Sequence, residues 1–100
     1  MYRLEVKSPK EFKYELFVQS KDKEVIKLNI KAAKHYGWDW RVIKATMSPD
    51  EFKLYCFRYL NCSMIDVRDF IQNKTELTEA DFHRFESHYC RNYLKGLRGN

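Results

Sequence analysis

Residues 30–45, IKAAKHYGWDWRVIKA, decide how this chain is read. Ala33 is followed four residues later by Gly37, then by Trp38 and Ile43. In a helix-turn-helix, a small residue sits where the helices cross, a glycine takes the positive φ of the turn, and apolar residues after it lock the second helix. Asp39 is placed to cap that second helix. Arg41, Lys44 and Thr46 then face solvent, where a recognition helix presents its base-contacting side chains. The competing reading is a plain corner between two helices with Trp38 and Trp40 packed inside. A carboxylate near phosphates and the bulk of Trp40 favour the corner; the basic residues on either side favour DNA. The likeness is to a motif of about 20 residues rather than to a family.

Upstream of the glycine, residues 23–36 gather Lys23, Lys27, Lys31 and Lys34 on one narrow helical face. Val25, Ile26, Ile30, Ala32, Ala33 and Tyr36 fall on the broad opposite one. Asp22 suits the N-cap and Gly37 the C′ position, so a helix is expected. The alternation of Ile26, Leu28, Ile30 and Ala32 leaves a strand as the alternative. Earlier still, Tyr2, Leu4 and Val6 alternate, as do Phe12, Tyr14, Leu16 and Val18. That period predicts strands over 2–7 and 11–19, turned by KSPK. The segment SPKEF (8–12) carries a helix-start pattern, which makes a helix over 9–19 the alternative.

Downstream, SPDEF (48–52) and TEADF (78–82) repeat that pattern: a hydroxyl, an acid three residues on, then Phe. Each is a capping box with a hydrophobic staple, Met47 to Phe52 and Leu77 to Phe82. Helices are expected over 49–60, over 64–72 behind Ser63, and over 79–95. Phe52, Tyr59, Phe70, Phe82, Phe85 and Tyr89 are the expected core. The last helix carries a second basic stripe of Arg84, His88, Arg91, Lys95 and Arg98. The expected architecture is α+β and predominantly helical: an N-terminal β-hairpin followed by four or five short helices, in a single domain over 1–100.

The chain has 100 residues, 44% hydrophobic and 16% aromatic, which suits one folded domain with a real core. Its net charge is +5, and the excess is uneven. Residues 1–44 hold 11 Lys/Arg against 6 Asp/Glu, whereas residues 45–100 hold 8 of each. The N-terminal part therefore favours an anionic partner. The odd set of Cys56, Cys62 and Cys90 argues against a secreted disulfide framework. No apolar leader opens the chain and no run is long enough to span a bilayer, so a cytoplasmic protein without a membrane partner is expected.

The chemistry-bearing residues assemble into no catalytic pattern. Cys56, Cys62, His83, His88 and Cys90 lack the paired spacing of a zinc site, and buried thiols with surface histidines are expected instead. Asp66 and Asp69 share a helical face, as a metal-dependent nuclease would need, but two acids three apart are ordinarily only solvated. No glycine-rich phosphate loop is present. The expectation is a non-enzyme without cofactor or metal. Its leading function is DNA binding or regulation, with duplex DNA favoured. Arg41 and Lys44 would probe a groove, while Lys23, Lys27, Lys31, Lys34, Arg84, Arg91, Lys95 and Arg98 would hold phosphates. The alternative is a protein-interaction module (adaptor, inhibitor or assembly factor, possibly of phage origin) that docks an acidic partner surface. One contiguous basic face would favour the first; separated charges and an exposed aromatic patch would favour the second.

Overall fold

The alternating run at the N-terminus forms strand β1, Tyr2–Lys7, in the computed structural model, which describes residues 1–89. It is followed by β2 (Glu15–Ser20), helix α1 (Lys23–His35) and β3 (Asp39–Lys44). The three strands make one sheet in the order β2-β1-β3, antiparallel throughout. These elements constitute a first compact unit, residues 1–45. The helix-start pattern at Ser8 closes the hairpin loop rather than starting a helix. The Glu11 N–H donates to the Ser8 carbonyl (3.0 Å), and the Ser8 hydroxyl donates to the Glu11 carboxylate (3.1 Å). Leu4 pairs with Val18 and Glu5 with Leu16, so Phe17 is the extra residue of a β-bulge.

Helix α1 follows its caps. The Asp22 carboxylate accepts from the Glu24 N–H at 2.9 Å. At the other end the Gly37 N–H donates to Lys34 O and the Trp38 N–H to Ala33 O, both at 3.0 Å. That pair of bonds is a Schellman motif, and Gly37 takes the positive φ it requires, +71°. The segment after the glycine is a strand, which corrects both the helix-turn-helix and the two-helix corner. Trp40, Val42 and Lys44 alternate with Arg41 and Ile43 there, in a run of aromatic and β-branched residues suited to a pleated surface. Pairing with β1 satisfies their backbone, Tyr2 with Lys44 through Lys7 with Asp39.

Alternation divides the sheet into two faces. Tyr2, Leu4, Val6, Trp40, Val42 and Lys44 share the face across which α1 packs. Leu4, Ile26 and Ala33 are buried. The other face presents Arg3, Glu5, Arg41 and Ile43, of which the last three are also buried. The Arg41 Nε–H donates to Glu5 Oε1 at 2.8 Å, and Arg3 Nη2 lies 3.5 Å from Glu5 Oε2. The Tyr14 ring stacks on the Arg41 guanidinium, 4.1 Å from its carbon to the ring centroid.

The second unit begins at Thr46. It contains β4 (Thr46–Met47), α2 (Pro49–Tyr59), α3 (Met64–Ile71), β5 (Leu77–Thr78) and α4 (Glu79–Tyr89). The capping box of α2 is complete in both directions, between Ser48 and Glu51. Ser63 caps α3 through the Asp66 N–H. Thr78 and Asp81 exchange the reciprocal bonds at the start of α4. Met47 and Leu77, the apolar residues preceding two of these caps, are cross-strand partners in the β4–β5 pair. They are buried together with Phe52, Cys56, Val67, Ile71, Phe82 and Phe85. Phe52 meets Phe70, Phe82 and Phe85 at ring distances of 5.6, 6.1 and 5.8 Å, and Phe85 stacks on Tyr89 at 4.8 Å. Of the expected core, Phe52, Phe82 and Phe85 are fully enclosed, while Tyr59, Phe70 and Tyr89 are half-buried.

The molecule is therefore α+β with an N-terminal hairpin. Four helices occupy roughly half of the described residues, so helix does not predominate and a fifth helix is not found among them.

Candidate nucleic-acid interface

The lysine stripe of α1 arises from spacing alone. Positions 23, 27, 31 and 34 follow one another by four, four and three residues, each close to the 3.6 of a full turn, so their side chains line up along about 16 Å of the helix. All four residues are exposed. On the opposite flank Ile26 and Ala33 anchor the helix to the sheet. The stripe consequently runs beside the sheet face that carries Tyr2, Trp40, Val42 and Lys44.

Here the rings hold the cations. Lys23 Nζ lies 5.7 Å from the Tyr2 ring centroid and Lys44 Nζ lies 6.0 Å from the same ring, so one tyrosine gathers a helix lysine and a strand lysine. Lys34 Nζ sits 5.7 Å from the Trp40 ring. A cation over an aromatic face is attracted by the ring quadrupole, which restrains an otherwise floppy ammonium group. Between these points Tyr2, Lys23, Ile26, Lys27 and Val42 line a largely apolar groove of about 240 Å³. Lys27 also pairs with Glu24 at 3.4 Å, a contact between exposed side chains that water screens. The groove presents positive heads beside aromatic rings on a largely apolar floor, a setting that attracts anionic groups.

Arg41 does not belong to this surface. Its side chain is 1% exposed and committed to Glu5 on the other face of the sheet. A strand in place of the second helix turned it inward, so it cannot probe a groove. Lys44 stands beside the lysine stripe, brought there by the β1–β3 register rather than by a recognition helix. Arg84 is exposed on α4, 3.6 Å from Asp81. Arg91, Lys95 and Arg98 lie outside the described residues, as does Cys90. Among the described residues no three His, Cys, Asp or Glu side chains come together as a metal site, and no helix is long and apolar enough to cross a membrane.

Sequence reasoning passed over Tyr2 as a site residue. The available signal was its place at the head of the alternating run, opposite Lys44 once β3 is read as a strand. An aromatic cluster stands at the end of α1. Tyr36 stacks on Trp38 at 4.9 Å and 29°, and Phe17 meets Trp38 edge-on at 5.8 Å. Tyr36 is 61% exposed and Phe17 38%.

No protein-family model matches the sequence, and no curated protein or solved structure is significantly similar to it.

Proposed function

We propose that residues 1–45 bind nucleic acid through the lysine-lined groove between α1 and β3, gripping the phosphate backbone without reading base edges. The observation that supports this reading most is the seating of Lys23, Lys34 and Lys44 on Tyr2 and Trp40 along one flank. It falls within the unit that carries the whole net charge of the chain. Without a recognition helix, contacts of this kind fix affinity and register but carry no sequence information. If Lys23, Lys27, Lys34 and Lys44 each neutralise one phosphate, log K should fall with log salt at a slope of about −3.6 on duplex and about −2.8 on a single strand. Fluorescence anisotropy over a salt series provides the test. Lys27→Gln should flatten the slope by close to one unit, with similar loss on unrelated sequences. Absence of binding at low salt would retire this function.

A protein-interaction role has its own supporting observation in the second unit. Leu54, Phe57, Met64 and Ile65 are 46–69% exposed there, on α2 and α3. Large apolar side chains left open to solvent suit a protein partner where they adjoin.

A further inference from the structure

We propose that the nucleic acid taken by this groove is single-stranded, with Tyr36 and Trp38 forming a base-stacking platform where the lysine row ends. The inference rests on the backbone-gripping reading above and adds the class of strand.

The platform is a built feature. In a Schellman turn, Gly37 reverses the chain so that the residues on either side of it, Tyr36 and Trp38, come ring on ring at 4.9 Å. The bonds from Gly37 and Trp38 back to Lys34 and Ala33 hold that turn. His35 meets the Tyr36 ring edge-on at 5.5 Å, and Phe17, pushed out of the ladder by the β-bulge, supports Trp38 from the side. The Tyr36 ring is therefore braced yet largely open to solvent. An aromatic ring fixed in that state contributes to binding without first losing conformational freedom.

Charges of both signs lie near it, the Lys7–Asp39 pair (3.7 Å) following Trp38 among them. Lys31 and Lys34 stand in the turns of α1 that lead to the platform. On the other side, Glu11 and Glu15 line a groove of about 190 Å³ together with Phe17 and Trp38. Phosphates are drawn to the lysines and repelled by the carboxylates. A duplex keeps its base faces stacked on one another, so only a strand with open faces can use the platform. The lysines alone would not discriminate between the two.

The test compares a labelled 12-nucleotide single strand with a 12-base-pair duplex by anisotropy at low salt, using the parent protein, Tyr36→Ala, Tyr36→Phe and Lys27→Gln/Lys34→Gln. The parent should prefer the single strand. Tyr36→Ala should weaken single-strand binding by roughly 5- to 150-fold, the loss of one stacked base, and leave duplex binding unchanged. Tyr36→Phe should retain the preference, because the ring rather than the hydroxyl does the stacking. The lysine double variant should weaken both ligands together. Because Tyr36 is exposed, its truncation should leave the fold intact, and an unchanged melting curve verifies that. Tryptophan emission should be quenched by the single strand and not by the duplex. Equal binding of both ligands, with no effect of Tyr36→Ala, would overturn the platform and leave the lysine groove standing. Binding of neither ligand would overturn both. Equally tight binding of polyglutamate, insensitive to Tyr36→Ala, would replace nucleic acid with an acidic protein surface.

Discussion

Replacing Glu5 by Gln keeps the side-chain shape and removes one charge from a site that water does not reach. Glu5 is 0% exposed and Arg41 1%, with 2.8 Å between Oε1 and Nε. Arg3 approaches the other carboxylate oxygen at 3.5 Å but is 15% exposed, so it can turn toward solvent when the acid is lost. Arg41 cannot. Its guanidinium stays enclosed against the Tyr14 ring with the Glu5 charge lost, and breaking a buried pair from one side costs about 3–5 kcal/mol. Domains of this size have a total stability of roughly 5–15 kcal/mol, so Glu5→Gln should remove a large share of it. The paired replacement, Glu5→Leu with Arg41→Met, eliminates both charges together. It should fall between neutral and about 1–4 kcal/mol of stabilisation, because neither ion is then desolvated. Both tryptophans of the chain, Trp38 and Trp40, lie in residues 1–45. Urea unfolding followed by tryptophan fluorescence therefore reports on this unit directly. Two results would refute the reasoning: Glu5→Gln within about 0.5 kcal/mol of the parent, or a double variant as unstable as the sum of its parts.

Two further changes test the packing and the turn. Phe85→Ala removes a ring that meets Phe52, Phe70 and Tyr89 in the second unit. It should cost about 3–5 kcal/mol, measured by thermal unfolding with near-ultraviolet circular dichroism. Gly37→Ala adds a methyl group that meets nothing within 4 Å, so its cost should be the backbone strain of a positive φ alone, about 1–2 kcal/mol. Gly37→Asn should recover part of that loss in the same urea titration, since asparagine tolerates the left-handed region better.

The elements that carried an end signal were legible in the sequence. Asp22, Ser48, Ser63 and Thr78 each start a helix where a hydroxyl or carboxylate can satisfy open N–H groups. The strand over 39–44 was hidden because its neighbours spoke for something else. Gly37 ends a helix whether a helix or a strand follows, and Asp39 reads as a cap in either setting. The alternation of Trp40, Val42 and Lys44 was present but only six residues long. Arg41 was misjudged along with it: the second helix of a helix-turn-helix would turn that side chain to solvent, whereas the strand turns it inward. Only the register that sets Glu5 opposite Arg41 reveals the interior pair. The lysines of α1 were legible as a stripe, since helical spacing alone defines one. Their seating on Tyr2 and Trp40 required the sheet, which joins residues about 40 positions apart.

The strand that comes first in the sequence occupies the middle of the first sheet, and this shapes the order of events during translation. The β1–β2 hairpin can close once Ser20 has emerged, within about 1–10 μs. β3 is not complete until Lys44 follows, and at about 5–20 residues per second that interval lasts on the order of seconds. Throughout it, β1 has one edge paired and the other waiting, on a nascent chain that cannot yet supply its own neighbour. The segment made in the meantime is α1, with lysines on its outer face and Ile26 and Ala33 beneath. A helix that forms within microseconds can cover the apolar face of the hairpin before its third strand arrives.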